Sequence, residues 1–294
     1  MFRVRKIVNA KRVYEKKIFG KDVNIAVLDT GIYKHPDFEN RIKYFKDYVS
    51  HKDKVYDDNG HGTHVAGILA GNGFASKGKI CGMAPMASLY ILKILDFNGD
   101  GDTRDVVAAL DWLIANHEEK NIKLLNFSLG FLPNSKIYEH MVIIERINKL
   151  WDNGVAVIAS AGNNGPKKKT VTVPGNSRKV ITVGALDDRN FNGAKSGYSG
   201  KGPTSECVVK PEIFAPGSNV CSTDINGGNY VFKTGTSMAT PVVCGALALV
   251  LEIAPELKPW DLKMLLYESA DSGRLSADSL SWGCLNVDKM IELL

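Results

Sequence analysis

Four short stretches of the chain hold residue types that acyl-transfer chemistry uses, each at the edge of an apolar run. The first is Asp29-Thr30-Gly31, a carboxylate that ends the apolar stretch Val23 to Leu28. In an open α/β sheet, ligands bind beyond the carboxyl ends of the strands, where this carboxylate would lie. An aspartate that closes a strand can equally form a turn or cap a helix. The second is Asp58-Asn59-Gly60-His61-Gly62-Thr63-His64-Val65-Ala66-Gly67. Here a glycine-flanked histidine opens a helix whose later residues are small enough to press on a neighbour. His61 stands at the mouth and suits a general base, whereas His64, one turn on, is better placed to pack. Two histidines at this spacing could also start a zinc site, but no third or fourth ligand is suggested nearby.

The third stretch, Thr234-Gly235-Thr236-Ser237-Met238-Ala239-Thr240-Pro241, puts a serine at the start of a helix. Backbone donors and the helix dipole there favour the negative charge that a carbonyl oxygen acquires during acyl transfer. An isolated serine at such a place would read as an N-cap; its glycine and small neighbours leave room for a substrate backbone. The fourth is Val155 to Ala159 followed by Ser160-Ala161-Gly162-Asn163-Asn164-Gly165, where Asn163 could donate its side-chain amide to the oxyanion beside the backbone N–H of Ser237.

Such residues need rigid elements to bring them together. Short apolar runs alternate with segments of helical period, which is the mark of a parallel sheet covered on both faces. Strands are expected at Val23 to Leu28, Ser88 to Leu95, Ile122 to Phe127, Val155 to Ala159 and Val180 to Val183. Helices are expected over Thr103 to Lys120, starting at a Thr cap, and over Ile137 to Asp152, with Asn153-Gly154 as the stop. Residues 185 to 235 are rich in Gly, Ser, Asn and Pro, and Asn219 to Thr223 with Tyr230 to Thr234 read as a hairpin around Asn226-Gly227-Gly228-Asn229. The helix starting near Ser237 is apolar on nearly every side and should be buried, with Pro241 tolerated in its first turn. No internal repeat is visible.

In this order, Asp, His, Asn, Ser, the fragments form a specific set. The blocks Asp29-Thr30-Gly31, His61-Gly62-Thr63-His64-Val65-Ala66-Gly67 and Gly235-Thr236-Ser237-Met238-Ala239-Thr240-Pro241 resemble the three signature motifs of the subtilases, the subtilisin-like serine proteases. Gly82-Met83-Ala84-Pro85, Asn126 to Gly130, Ala161-Gly162-Asn163 and Lys210 to Gly217 are similar too, so the resemblance runs from about Val23 to Leu251. It implies an α/β, subtilisin-like three-layer fold with a mostly parallel central sheet and helices on both faces. It also implies a serine endopeptidase with Ser237 as nucleophile, His61 as general base and then acid, Asp29 orienting the imidazole, and Asn163 in the oxyanion hole. Peptide substrates would add as a strand between Asn98-Gly99-Asp100-Gly101 and Ser128-Leu129-Gly130, with a specificity pocket walled by Ser128 to Gly130 and Ser160-Ala161-Gly162.

The chemistry implied needs no cofactor. Members of the family often hold calcium in a loop inserted in the helix of the catalytic histidine, using a carboxylate from near Asp37. In this chain the matching stretch, Gly71 to Lys79, carries Lys77 and Lys79, which argues against that site; other metal sites stay open. Asp96, Asp100 and Asp102 near the substrate edge suggest a preference for basic residues upstream of the scissile bond, with solvated loop charge as the plain alternative.

Composition sets the remaining bounds. The chain has 294 residues, 44% hydrophobic and 23% charged, as an ordinary globular protein has, and no stretch looks like a linker. One peptidase domain over 1–294, with 1–20 as an N-terminal extension and helix, is expected. The net charge of +5 comes from interrupted clusters such as Arg3 to Lys17 and Lys167 to Lys169, without the continuous basic face that nucleic acid requires. The longest apolar run, Ala246 to Leu251, is too short to cross a bilayer. The partners expected are therefore polypeptide substrates, with no nucleic acid and no membrane; oligomeric state is not legible. The start Met-Phe-Arg-Val-Arg-Lys has no signal-peptide core, and five cysteines lack a pairing or metal pattern. Both features fit an intracellular, cytoplasmic relative without signal peptide or large propeptide, or a secreted one if the chain is trimmed. Two competing readings were weighed. A peptide-binding protein that has lost catalysis would typically lack one of the four residues, and a nucleotide-binding protein would show a phosphate-binding glycine motif after Val23 to Leu28, where only Asp-Thr-Gly stands.

Overall fold

The structure is a computed structural model that describes residues 1–131, 137–187, 197–274 and 281–294; residues 188–196 of the Gly- and Ser-rich stretch lie outside the described residues. The chain begins with two short helices, α1 (Phe2–Ile7) and α2 (Lys11–Glu15), then enters the sheet at β1 (Asn24–Asp29). β2 (Ile42–Asp47), α3 (His61–Ala70), β3 (Ser88–Lys93), α4 (Thr103–Asn116), β4 (Ile122–Phe127), α5 (Ile137–Asp152), β5 (Ala156–Ser160), β6 (Ile181–Ala185) and β7 (Ile213–Ala215) follow. The hairpin β8 (Val220–Thr223) and β9 (Tyr230–Lys233) leads into α6 (Thr236–Ile253), and α7 (Pro259–Ser269), β10 (Gly283–Cys284) and α8 (Val287–Glu292) close the chain.

Eight strands form one sheet in the order β10-β7-β6-β5-β4-β1-β3-β2, and every pairing in it is parallel. Alternation along the strands divides the core in two. Ile25, Val27, Leu89, Ile91, Leu124 and Ile158 meet α3, α6 and α7 on one face, together with Val4 and Val13 of the N-terminal helices. Ala26, Leu28, Leu92, Leu125 and Val157 meet α4 and α5 on the other. This is the three-layer arrangement expected, with helices on both faces.

β4 and α5 match their expected bounds, and β1, β3, β5 and β6 differ by one or two residues at an end. α4 ends at Asn116, four residues short of the expected Lys120, and three further details differ. The cap of α4 is Asp102, whose carboxylate accepts from the Arg104 N–H at 2.8 Å, and not Thr103; an ionised side chain at that place also meets the helix dipole. Pro241 is the sixth residue of α6 and so lies in the second turn. Its missing N–H would have gone to the carbonyl of Ser237, four residues back. α6 is also longer and more apolar than the run Ala246 to Leu251 suggested. Its 18 residues, with mean hydropathy 1.7, would suffice by length and composition for a span, yet 83% of them are buried inside the protein, as a central core helix requires.

Candidate active site

β1 is the pivot of the site. It lies between β4 and β3, so the segments that leave the carboxyl ends of those two strands flank Asp29 on either side. Asp29, the last residue of β1, is fully buried. Its Oδ1 accepts the N–H of Thr30 at 2.7 Å and a bond from His61 Nδ1 at 2.7 Å. A carboxylate only accepts, so Nδ1 carries the proton and Nε2 is the basic nitrogen of the neutral ring. Burial disfavours the imidazolium, but the charge and hydrogen bond of Asp29 outweigh it, with Lys233 opposing and Asp57 adding to the lift. The pKa of His61 is thereby held above its ordinary 6.5. About a quarter of the side chain, 26%, is open to solvent, so the free nitrogen has access to a substrate.

Glycines let the two residues come this close. A Cβ on Gly62 would stand 2.2 Å from the carbonyl oxygen of Gly31 and 3.1 Å from Asp29 Cβ. Gly31 itself has φ +117°, and a Cβ there would meet the Tyr56 carbonyl oxygen at 2.3 Å. Asp57, which the sequence reading passed over, ties the same elements together. Its Oδ1 accepts from Thr30 Oγ1 and from the N–H groups of Asn59 and Gly60, and its Oδ2 accepts from the N–H and hydroxyl of Thr63. Burial alone would raise its pKa, but these bonds prevail and hold it below the ordinary carboxylate value. Thr30 Oγ1 in turn accepts the N–H of Gly62 at 2.9 Å.

His64 is buried, as its position suggested. Its Nε2 lies 3.0 Å from the carbonyl oxygens of both Val220 and Val231, so it is the donor and the ring is neutral. Burial, with Lys233 in support, pushes its pKa down to about 3. The two imidazoles therefore turn to different partners and do not converge on one ion, and among the described residues no group of three or more His, Cys, Asp or Glu is arranged for a metal. His64 has a structural use: with Ser222 Oγ bonded to its carbonyl and Thr223 Oγ1 bonded to that of Thr63, each at 2.8 Å, it clamps the hairpin to α3. The hairpin leads directly into α6.

Ser237 is the second residue of α6 and is half-buried. Asn163, exposed beyond β5, is held by its Oδ1, which accepts from the N–H and the hydroxyl of Thr236 at 3.0 and 3.1 Å. This turns Nδ2 outward as a donor. The point where Gly235 would carry a Cβ lies 3.3 Å from that Nδ2 and 3.8 Å from the Ser237 nitrogen, so both nitrogens border the same glycine. Among the described residues no hydrogen bond joins His61 Nε2 to Ser237 Oγ; such contacts are commonly long before substrate binds.

The expected substrate edges sit where the sheet topology requires. Gly99, Asp100 and Gly101 are exposed in the loop after β3, braced by the N–H groups of Asn98 and Asp100 on Asp96 Oδ1 and by Asn59 Nδ2 on the Phe97 carbonyl. Ser128, Leu129 and Gly130 leave β4; Ser128 is buried with its Oγ bonded to Asn126 Nδ2, and Ser160 Oγ donates to the Leu129 carbonyl at 3.3 Å. Ala161 and Gly162 continue from β5. Thr172, unmarked in the sequence, fills the space between these walls: its side chain lies within 2.1 Å of where a Gly130 Cβ would be and within 2.5 Å of the corresponding point on Gly162. Its hydroxyl is buried without a partner among the described residues. Nothing in Thr170-Val171-Thr172-Val173 beyond strand-like alternation could have pointed to it.

The loop suited to calcium in relatives has its oxygens engaged here. Asp37 Oδ1 accepts the Ala75 N–H, its Oδ2 accepts the Tyr230 hydroxyl, and Asn72 Oδ1 accepts the Phe74 N–H. The Arg41 guanidinium donates to the carbonyls of Asp37, Ala70 and Ala87. A fixed organic cation and protein donors thus occupy the lone pairs that a hard ion would need, and the residues present do not fit calcium in this loop.

Comparison with known proteins places the chain in a family. The residue pattern described as the subtilase family matches residues 20–283. The chain is 40% identical to serine protease AprX of Bacillus subtilis (strain 168) over 275 residues, which is 86% of this chain and 62% of that protein. It is 34% identical to subtilisin Savinase of Lederbergia lenta, covering 90% of this chain and 89% of the other. Among solved structures, a cold adapted subtilisin-like serine proteinase aligns with TM-score 0.73 at 29% identity over 92% and 90% of the two chains. Sphericase aligns with TM-score 0.75 at 33% identity over 87% and 88%. The chain thus spans about three fifths of the length of AprX and nearly the whole of the other three.

Proposed function

Because the chain belongs to the subtilase family, we propose that it is a serine endopeptidase working through an acyl-enzyme intermediate. The observation that carries this reading is the 2.7 Å bond from His61 Nδ1 to the buried Asp29, which leaves Nε2 as the basic nitrogen of a partly exposed ring, on a helix that packs against the one bearing Ser237. In the reaction Ser237 Oγ adds to the scissile carbonyl as Nε2 takes its proton. Asp29 stabilises the imidazolium, and Asn163 Nδ2 with the Ser237 N–H receives the oxyanion. His61 then returns the proton to the leaving amine, and a water repeats the sequence to free the acid.

The substrate lies extended between residues 98–101 and 128–130, with the side chain before the scissile bond directed toward Ser160 to Gly162 and Thr172. Of the three aspartates at this edge, Asp102 is spent on its helix cap and on Arg104, and Asp96 on its own turn. Asp100 makes no side-chain hydrogen bond among the described residues and is the one that would favour basic residues upstream. The five cysteines are all free thiols, which supports a reducing compartment. A fluorophosphonate probe tests the central claim: it should label the wild-type protein at Ser237 and leave Ser237→Ala unlabelled, and absence of labelling on the folded wild-type chain would overturn it.

A further inference from the structure

Lys93 ends β3 beside Asp29 in register and is fully buried, and no step of the proposed chemistry uses its charge. Its Nζ donates to the Thr30 carbonyl at 2.7 Å, to Asp58 Oδ1 at 2.7 Å and to the Leu95 carbonyl at 2.6 Å. These three bonds use every donor that an ammonium has. Each acceptor belongs to a different segment. Thr30 starts the turn after Asp29, Asp58 lies in the turn that leads into His61, and Leu95 begins the loop that carries the substrate edge at Gly99 to Gly101. The ammonium also stands 5.1 Å from the centre of the Tyr56 ring.

Burying an ammonium is unfavourable, and an apolar chain of the same bulk would fill the space without that penalty. The three acceptors explain why a charged donor stands here. Asp57 fastens the turn 57–60 to α3 and to Thr30 Oγ1, but nothing in that set ties the turn to β3. Lys93 supplies the second tether, from the sheet side. Two tethers on a short turn fix both its distance and its angle, and His61 follows that turn directly, three residues after Asp58. We propose that Lys93 is a positioning residue, which sets Asp29, His61 and the 96–101 edge at one mutual spacing. The proposal rests on the serine endopeptidase reading above.

Two variants test it. Lys93→Met keeps the length and bulk but has no donor; Asp58→Asn leaves the lysine in place and neutralises one acceptor, whose side chain is 37% exposed and so tolerates change. Both are measured for thermal melting, for fluorophosphonate labelling and for kcat and KM on a chromogenic peptide. A misplacement on the order of 1 Å lowers turnover about 100-fold. A folded Lys93→Met is expected to lose about 10- to 100-fold in kcat with KM within about twofold, and Asp58→Asn about 3- to 10-fold with the same split. A folded Lys93→Met with kcat within about twofold of wild type, or with its loss confined to KM, overturns the proposal. Should Lys93→Met not fold, an unchanged kcat in Asp58→Asn overturns it. Failure of the endopeptidase reading looks different, because the wild-type chain itself would then resist the probe.

Discussion

Replacing Asp29 by asparagine keeps the shape of the side chain and removes its charge. In the native site Oδ1 serves both the Thr30 N–H and His61 Nδ1, at 2.7 Å each. The Thr30 N–H still needs an acceptor in the variant, so the amide oxygen stays at the Oδ1 position and Nδ2 takes that of Oδ2. His61 keeps its proton on Nδ1, and the loss is electrostatic rather than a change of tautomer. When His61 accepts the proton of Ser237, the centres of the two charges are ~4 Å apart, worth ~4 kcal/mol at an effective dielectric of ~20. At ~1.4 kcal/mol per decade, kcat falls ~10³-fold. Asp29 Oδ2 is buried with no partner among the described residues, and an amide there brings two donors into a buried place, at a cost of about 1–3 kcal/mol to the fold where they stay unpaired. The pH dependence gives a second signature. With Asp29 neutral, the largest support for the imidazolium is lost while burial and Lys233 still oppose it, and the His61 pKa falls from its raised value. The acid limb of kcat/KM therefore moves to lower pH. Native His61, with its raised pKa, contributes stability that is complete below pH 6.5 and is lost as pH rises through the folded value. The variant loses that contribution. Kinetics on a chromogenic peptide across pH 5–9 and melts at both ends check the prediction. A folded variant with less than ~10-fold loss of kcat, or with its acid limb displaced upward, would refute the reasoning.

Asn163→Ala should lower kcat by about 10²–10³-fold with little change in KM, the loss known for the side-chain donor of the subtilisin oxyanion hole, and steady-state kinetics measure it. Glu212→Gln removes the carboxylate that Lys210 and Lys263 share at 2.6 and 2.9 Å. Stranding two buried ammoniums should cost about 3–5 kcal/mol, or roughly 5–8 °C in a calorimetric melt for a chain of this size. In the wild type, burial pushes the Lys210 pKa down to about 8, with Lys263 assisting and Glu212 opposing. The folded state then sheds this proton before the unfolded chain does, and this group's contribution to stability rises with pH between about 8 and 10.5. For the loop 71–79, a chelator should leave the melt within about 1 °C, whereas Arg41→Met, which strands three carbonyls, should lower it by about 3–6 °C. A calcium-dependent melt that Arg41→Met does not alter would contradict the assignment.

How far the sequence reveals all this depends on whether a residue's role is local. β4 and α5 are legible to the residue because a strand buried on both faces is mostly apolar, here broken only by Lys123 and Asn126, and a surface helix repeats its apolar side. β2 escapes because Ile42-Lys43-Tyr44-Phe45-Lys46-Asp47 forms the sheet edge and is mostly half-exposed, with no clean pattern. β7 and β10 span three and two residues, too short for any period to emerge. α7 did carry a start signal, Pro259 at its first position with Asp261 two residues on, that was left unused. Asp29, His61, Asn163 and Ser237 stand out as candidates because each lies at or just beyond an element's end. Asp57, Thr172 and Lys93 each also reach a segment that is distant in sequence, which no local pattern reveals. A lysine inside Leu92-Lys93-Ile94 was still a visible anomaly, since a charge in a buried strand must find partners.

The two histidines of α3 show why residue type alone could not assign roles. They are three positions apart on one helix, both enclosed, and their pKa values move in opposite directions. The difference lies in the partner of one ring nitrogen. A carboxylate on Nδ1 supplies charge that the imidazolium can use, so His61 becomes a stronger base with Nε2 free. Burial and Lys233 oppose a charge on His64, and the dipoles of two carbonyls on Nε2 offset them only in part, so the ring stays neutral and serves as a clasp for the hairpin. That clasp is not idle in the chemistry, because the hairpin delivers α6 and with it Ser237. His61 and Ser237, the base and the nucleophile of the proposed reaction, are thereby carried on two helices that one buried, uncharged imidazole helps to hold together, and a second proton on His64 would have to sit on Nδ1, which is buried without a partner among the described residues.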